Sequence, residues 1–316
     1  MSIYRTLKGY SVKAIADDPD NVKEGQIWYE STEEVVKLAP KIGAWASGGN
    51  MGTDRKELNG QSGGIQTAGI VFGGNAPGGR TANSEEYNGS TWAEGDNYSA
   101  ALSGIGGFGT QDAQVGVGGE QTNGTTVSTV NEYNGTSWSG GEAIPTATKL
   151  MGTAGTLTAG LVFGGVTPGG DGITTTLEYD GTDWTTGGAL NNGDGGQAGG
   201  GTQTDALSAS STTEAYNGTA WTEVSDMSTA RNGAACGNIT TSFLVAGGNP
   251  SPATRTERFD GTSWSSLANM ATARGDLGGC GTGSAGLIFG GEPGSGDTNA
   301  TEEFTEAVTT RTADLS

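Results

Sequence analysis

The sequence predicts an all-β protein assembled from repeated units of four strands, and three observations support that prediction. Glycine supplies 60 of the 316 residues, which favours tight turns and closely packed strands over helices. A motif of an aromatic residue, Asn-Gly or Asp-Gly, and then Trp recurs five times along the chain. An apolar run that ends in a pair of glycines precedes most copies of that motif.

The aromatic-to-Trp motif predicts a β-hairpin in each repeat. Asn-Gly or Asp-Gly between two β-type segments favours a type I′ turn, in which both central residues take positive φ. The aromatic strand and the Trp strand of each copy are therefore expected to be antiparallel neighbours. The copies are Tyr87–Trp92, Tyr133–Trp138, Tyr179–Trp184, Tyr216–Trp221 and Phe259–Trp264, with Trp spacings of 46, 46, 37 and 43 residues.

The apolar runs predict a buried strand ahead of each hairpin. They end at glycines 73–74, 118–119, 164–165, 247–248 and 290–291. The fourth repeat departs from this pattern, because Ala206–Ser210 stands where the run and its glycine pair should be. A segment rich in Gly and Ala precedes each run, and its small side chains suit an innermost strand that converges on an axis.

Four strands in roughly every 43 residues, with glycine pairs and aromatics in each unit, predict a β-propeller blade. The aromatic strand at Phe304 has no Trp after it, whereas Trp45 has no aromatic strand before it. Trp45 is followed by Asn50-Met51 and Arg55, as Trp264 is followed by Asn269-Met270 and Arg274. The strand around Trp45 is therefore expected to complete the last blade. That strand would close a six-bladed ring and leave no exposed sheet edge.

These residues resemble the kelch repeat over roughly residues 41 to 308. The resemblance implies a propeller and says nothing about activity, because a fold does not carry a function by itself. Some kelch-type propellers are copper oxidases, but this chain has no histidine, so the ligands that such a site needs are absent. The expected domains are an arm at 1–40, the propeller at 41–308 and a tail at 309–316.

The arm carries few glycines and no repeat, and residues 26–29 and 35–38 predict a small hairpin within it. The run Gly25–Tyr29 resembles a short module found near the N-termini of marine bacteriophage structural proteins, ahead of kelch-like domains. That resemblance implies a virion component that docks onto the particle through its arm. The expected docking residues are Ile27, Trp28, Tyr29, Val35 and Leu38. The alternative is an extra hairpin that only packs against the propeller.

The composition excludes several classes of function. The absence of histidine removes Ser-His-Asp and Cys-His nucleophiles and every histidine metal site. An excess of 35 acidic over 15 basic residues argues against nucleic-acid or anionic-membrane partners. We predict no catalytic residue, metal or cofactor, and we expect Cys236 and Cys280 to be small core residues. No apolar run is long enough to insert into a membrane, and no signal peptide is expected.

The loops that follow the glycine-pair strands are long, and together with the loops after the Trp strands they are expected to form one binding face. The candidate binding residues there are Arg80, Asp171, Arg231, Arg274 and Asn249. The short fourth repeat predicts a notch between the loops at 166–176 and 249–256. Two alternatives remain: the long loops are tolerated insertions, and the arginines pair with neighbouring carboxylates.

These inferences lead to a non-enzymatic bacteriophage virion protein of tail, tail-fibre or adaptor type, located in the virion after assembly in the host cytoplasm. The arm would contact other virion proteins, and the propeller would serve assembly or contact with a host-surface glycan. A free extracellular carbohydrate-binding propeller is the alternative. An enzyme with paired carboxylates on the long-loop face is a third hypothesis.

Overall fold

The computed structural model describes residues 4–7, 10–58, 63–237, 240–249, 253–294 and 296–313. These residues form strands, one 3-10 turn at Thr240–Ser242 and no α-helix, so the all-β prediction is confirmed. The chain divides into two compact units, which we name the terminal unit (Met1–Ala44 with Thr305–Ser316) and the repeat unit (Trp45–Phe304). These bounds differ from the predicted ones, because the C-terminal segment belongs with the N-terminal segment instead of forming a separate tail.

The repeat unit is built on six sheets of four strands each within the described residues, numbered here in chain order. The first sheet contains Gly64–Ile65, Ala68–Phe72, Ser84–Tyr87 and Trp92–Glu94. The second contains Gly106–Thr110, Ala113–Val117, Val130–Tyr133 and Trp138–Gly141. The third contains Gly152–Thr156, Ala159–Phe163, Thr176–Tyr179 and Trp184–Thr186. The fourth sheet contains Ala198–Thr202, Asp205–Ala209, Thr213–Tyr216 and Trp221–Glu223. The fifth contains Asn232–Cys236, Phe243–Asn249, Thr256–Phe259 and Trp264–Ser266. The sixth contains Gly278–Thr282, Ala285–Phe289, Thr301–Val308 and Lys41–Ser47. Two short ribbons pair Asn75–Ala76 with Gly79–Arg80 and Leu102–Ser103 with Glu120–Gln121.

This arrangement agrees with the predicted order of strands within a repeat. The degenerate segment of the fourth repeat still forms the second strand of its sheet, at Asp205–Ala209, with Ala206 and Leu207 fully buried. The strand that contains Trp45 is the fourth strand of the sixth sheet, next to Thr301–Val308. The fold is therefore propeller-like, with one four-stranded sheet for each sequence repeat.

The hairpin turns differ from the predicted type I′ geometry. Tyr87 pairs directly with Trp92, so the connection has four residues, and within it only Gly89 takes a positive φ, of 87°. Asn88 instead uses its side chain: Oδ1 accepts hydrogen bonds from the backbone N–H groups of residues 90 and 91, at 3.0 and 2.9 Å. The other four turns repeat this contact, so Asn or Asp is required as an acceptor and not for its backbone conformation.

The glycine pairs after the second strands are explained by backbone conformation. In the sixth sheet Gly290 and Gly291 have φ values of 63° and 98°, which side chains with a Cβ rarely adopt. A Cβ on Gly290 would also lie 2.6 Å from the carbonyl oxygen of Arg55. The pair therefore allows the chain to leave the strand where a neighbouring segment passes closely.

Hydrogen bonds donated by side chains connect each sheet to a neighbour. In the first sheet, Trp92 Nε1 donates to Thr301 Oγ1 of the sixth sheet at 2.9 Å. Gln66 Nε2 donates to the carbonyl oxygen of Phe304, also in the sixth sheet, at 2.7 Å. Trp contacts of the same kind link the other neighbours, at Trp138–Ser84, Trp184–Glu142, Trp221–Thr176, Trp264–Ser225 and Trp45–Thr256. The Trp residues therefore pack the sheets against one another.

Four tyrosine hydroxyls add a second set of bonds between sheets. The pairs are Tyr87–Glu303, Tyr133–Glu86, Tyr179–Glu132 and Tyr216–Glu178. The last two repeats have Phe259 and Phe304 in place of the tyrosine. The residues at the glutamate position of the preceding sheets are then Ala215 and Arg258, respectively. Tyr and Glu thus occur together in the repeat because each completes the other's hydrogen bonding.

These tyrosines predict a loss of stability at high pH. Burial raises the pKa of Tyr87 and Tyr216 to about 12, and the bonded glutamate contributes in the same direction. Tyrosine in the unfolded chain titrates near about pH 10, so the unfolded state alone loses protons above that pH. The free energy of unfolding should hold below about pH 10 and fall as pH rises towards about 12. The urea midpoint at about pH 8 and pH 11 measures this, and the double variant Tyr87→Phe, Tyr216→Phe should show a smaller fall. An equal urea midpoint at both pH values would contradict the predicted effect of the tyrosines on stability.

The innermost strands of five sheets, and Gly237 directly after the innermost strand of the fifth sheet, border one cavity of about 360 Å³. Each sheet contributes a glycine to its lining, namely Gly64, Gly109, Gly155, Gly201, Gly237 and Gly281. Small residues in the innermost strands agree with the sequence prediction that these strands converge.

The terminal unit is a five-stranded sheet. Its strands, in order of pairing, are Tyr4–Leu7, Tyr10–Ile15, Ile27–Glu30, Val35–Leu38 and Arg311–Thr312. The second and third strands are parallel, and the other pairs are antiparallel. The predicted hairpin is therefore present, and the C-terminal strand extends its sheet.

Candidate binding site

The predicted docking side chains of the arm lie mostly inside the terminal unit. Trp28 is 1% exposed and Tyr29 is 7% exposed, and Trp28 Nε1 donates to Asp18 Oδ1 at 3.1 Å. Val35 and Leu38 are half-buried, whereas Ile27 is 51% exposed. This geometry corrects the expectation that the aromatic side chains form the docking contact: they form the core of the unit, and Ile27 is the predicted residue that remains accessible.

Three arginines, each ten residues after a Trp, form ion pairs with buried glutamates. The pairs are Arg55–Glu85 at 2.5 Å, Arg231–Glu257 at 2.5 Å and Arg274–Glu302 at 2.8 Å. Arg55 and Arg274 have no exposed surface, so Arg274 does not project from a binding face as its candidate role requires. Burial in a low-dielectric interior demands such a partner for each charge.

Arg231 uses its guanidinium differently from Arg274. Nη1 of Arg274 donates to the carbonyl oxygens of Gly290 and Ala300 at 2.9 and 2.8 Å. Arg231 instead donates from Nε to the carbonyl oxygen of Gly247 at 3.0 Å. Its Nη2 is buried and has no hydrogen-bond partner among the described residues. A buried guanidinium nitrogen without a partner is costly.

Arg231 lines a cavity of about 260 Å³ beside the short loop of the fourth sheet, where the sequence predicts a notch. We name this cavity the notch, and its lining residues are Asp194, Ser211, Ala230, Arg231, Asn232 and Asn249. Residues 250–252 of the flanking loop lie outside the described residues. The notch therefore brings together Arg231 and Asn249 from the predicted binding residues.

The polar groups of the notch are held in place by their own hydrogen bonds. Asp194 Oδ1 accepts from the backbone N–H of Gly195 at 2.8 Å, and Asn232 Nδ2 donates to the carbonyl oxygen of the same residue at 2.9 Å. Asn249 Nδ2 donates to Asp276 Oδ1 at 2.7 Å. Burial raises the pKa of Asp276, and the nearby charges of Glu57 and Glu292 raise it further. A carboxylate, two amides and a hydroxyl thus line the notch and can exchange hydrogen bonds with a polar ligand.

The two other predicted binding residues do not line the notch. Arg80 donates from Nε to Ser103 Oγ at 2.6 Å and also pairs with Glu120, which Lys149 contacts as well. Asp171 is exposed in its loop. Sequence reasoning missed Asp194, although it lies ten residues after Trp184, where three other repeats carry arginine.

The described residues hold no group of three or more Cys, Asp or Glu side chains arranged to bind a metal ion. No helix found among them is long and apolar enough to cross a membrane.

No family model and no curated protein matches this chain. Among solved structures, the chain is similar to the structure of YjhT, with a TM-score of 0.67 and 13% sequence identity. The similarity covers 83% of this chain and 99% of the YjhT chain. At so low an identity the similarity shows the fold alone, and it supports a propeller-like, β-rich architecture for this chain.

Proposed function

We propose that the repeat unit is a closed six-bladed propeller completed by the strand around Trp45. The hydrogen bonds from Trp92 and Gln66 of the first sheet to the sixth sheet support closure. The cavity supports it as well, because a glycine in or directly after the innermost strand of each sheet lines it. A closed ring leaves no exposed sheet edge and provides a rigid support for loops.

We also propose that the protein is a non-enzymatic structural component of a bacteriophage virion, of tail, tail-fibre or adaptor type, in which the terminal unit contacts other virion proteins. The observation that carries this proposal is the resemblance of Gly25–Tyr29 to the phage module. Ile27, at the start of the strand that bears this run, is 51% exposed and is therefore accessible to a partner.

Incorporation into particles tests the virion role. Tailed particles of a phage that encodes this chain should contain the chain at a constant number of copies per particle. Quantitative mass spectrometry of particles purified from the lysate measures that number. In a lysate that supplies the Ile27→Asp variant, we expect at least about tenfold less of the chain in particles, because a charge at a buried contact is costly. Thr122→Asp, on an exposed loop, is the matched control and should be incorporated normally. Absence of the chain from particles would refute the proposal, and normal incorporation of Ile27→Asp would refute the contact.

A second proposal concerns the notch, which we infer to bind the hydroxyl groups of a host-surface glycan. The groups that line the notch support this proposal, namely the carboxylate of Asp194, the hydroxyl of Ser211 and the amides of Asn232 and Asn249. Planar polar side chains of this kind can each bond to one or two sugar hydroxyls. A free carbohydrate-binding propeller would use the same site, so particle incorporation distinguishes the two functions.

Blocking the notch tests glycan binding. Ser211→Trp places a bulky ring at an exposed residue of the lining and should weaken glycan binding at least about tenfold, because it fills the space available to the ligand. Thr219→Trp, in the hairpin turn of the same sheet, is the matched control and should bind as the native protein does. Binding to an array of purified surface polysaccharides provides the measurement. Equal binding by both variants would place the glycan site elsewhere or remove it.

A further inference from the structure

The third sheet lacks the ion pair that the first, fifth and sixth sheets share. Ten residues after Trp138 stands Thr148, where those sheets carry arginine. Two residues before Tyr179 stands Leu177, where they carry glutamate. Thr148 is 2% exposed and Leu177 is 8% exposed, so both remain in the interior.

A cavity of about 220 Å³ lies at this position. Thr148 and Leu177 line it, and so do Gly164 and Thr175. Gly164 and Thr175 are the repeat equivalents of the two residues whose carbonyl oxygens accept from Nη1 of Arg274 in the sixth sheet. Thr148 stands at the position that carries the guanidinium in other sheets, and Leu177, Gly164 and Thr175 stand at the positions that contact it. Here all four border an open space.

The remaining lining is mainly apolar. It includes Ile144, Met151, Val162 and Phe163, all of them buried. The lining contains no Asp or Glu side chain, which makes the cavity unsuitable for a cation, because a buried charge needs a partner. A cavity of about 150 Å³ with an apolar lining is large enough for benzene in another protein.

The second sheet also lacks the ion pair, but it differs from the third sheet at one more position of the lining. Its equivalents of Thr148 and Leu177 are Leu102 and Asn131, and the equivalent of Ile144 is Tyr98. The Tyr98 ring is buried and lies 5.3 Å from the ring of Phe72 and 4.8 Å from that of Trp138. The larger ring supplies volume that Ile144 does not supply in the third sheet.

We propose that the cavity of the third sheet is a binding site for a small, neutral, apolar molecule of about the size of phenol, with one hydrogen-bond donor. The apolar body would contact Leu177 and its neighbours. The donor would bond to the carbonyl oxygen of Gly164, as arginine bonds to the equivalent glycine in other sheets. This site is separate from the notch, and the proposal does not depend on the virion or glycan roles.

Phenol and benzene are the probes, and the full-length chain is the protein used. We expect phenol to bind with saturation in isothermal titration calorimetry, at least about tenfold more tightly than benzene, since only phenol donates a hydrogen bond. A crystal structure with phenol should place it against Leu177. No saturable phenol binding, or phenol bound elsewhere, would overturn the site, and equal affinity for benzene would overturn the role of the donor.

The double variant Thr148→Arg, Leu177→Glu installs the ion pair of the other sheets and should fill the cavity. Phenol affinity should then fall at least about tenfold, while circular dichroism remains that of the native protein. If this variant does not fold, Leu177→Phe provides a smaller filling change that should also weaken phenol binding. Unchanged affinity in a folded filling variant would overturn the proposal.

Discussion

A chain that begins at residue 49 is expected to associate with other copies of itself, whereas a chain that begins at residue 41 is not. The first truncation removes Lys41–Ser47, the fourth strand of the sixth sheet, and exposes the edge of Thr301–Val308. It also removes Trp45, whose Nε1 donates to Thr256 Oγ1 at 2.9 Å and whose ring lies 5.2 Å from that of Phe304. An unpaired strand edge is a template for association with another chain.

Light scattering coupled to size exclusion measures the state of both chains, and thermal unfolding measures their stability. The loss of a packed Trp typically costs about 3–5 kcal/mol, so we expect the shorter chain to unfold at a clearly lower temperature. The chain from residue 41 is the matched control, because it lacks the first four strands of the terminal unit but keeps the strand Lys41–Ser47. A monomeric chain from residue 49 with an unchanged midpoint would contradict closure by the N-terminal strand.

Replacing Arg274 with Met is expected to lower the free energy of unfolding by about 3–5 kcal/mol. The substitution leaves Glu302 buried without its cation. Among the described residues, the hydrogen bond that Glu302 then retains is the one from the backbone N–H of Ala271, at 2.7 Å. It also removes the donors that bond to the carbonyl oxygens of Gly290 and Ala300. An uncompensated buried charge is among the most destabilising changes in a protein core.

The double variant Arg274→Met, Glu302→Leu separates the cost of the unpaired charge from the cost of lost packing. Replacing both partners with apolar residues of similar volume is often close to neutral, so the double variant should be more stable than Arg274→Met alone. Urea unfolding of the native chain and both variants measures the difference. Equal stability of the two variants would show that packing, and not charge, determines the effect of the arginine.

The sequence predicted the fold well because its signals are local. A repeated Tyr-Asn-Gly-Thr-Ser-Trp pattern, as in Tyr133–Trp138, defines a hairpin from neighbouring residues, and Val117-Gly118-Gly119 marks the end of a buried strand. The turn type was predicted incorrectly because the Asn side chain makes hydrogen bonds that the backbone pattern does not reveal. The position of each turn was predicted correctly, but the turn geometry depends on the hydrogen bonds of the Asn side chain.

The candidate site was predicted less completely, since its members come from different repeats. Arg231 and Asn249 were identified, but Asp194 and Ser211 were not, because only the folded chain brings the fourth and fifth sheets together around one cavity. The state of a single nitrogen, Nη2 of Arg231, depends on how its guanidinium is oriented between Gly247 and Glu257. No sequence pattern distinguishes that orientation from the one in Arg274.

The sequence by itself determined the number of repeats, the strands within each repeat and the exclusion of histidine chemistry, because composition and short-range patterns act on neighbouring residues. Only the tertiary structure decided that Trp28 and Tyr29 are core residues, that Arg311–Thr312 joins the sheet of the N-terminal segment, and that Thr148 and Leu177 border a cavity. Each of these depends on which side chains meet across different strands or sheets. Such contacts are set by packing in the folded chain, where a residue's partners are distant in sequence.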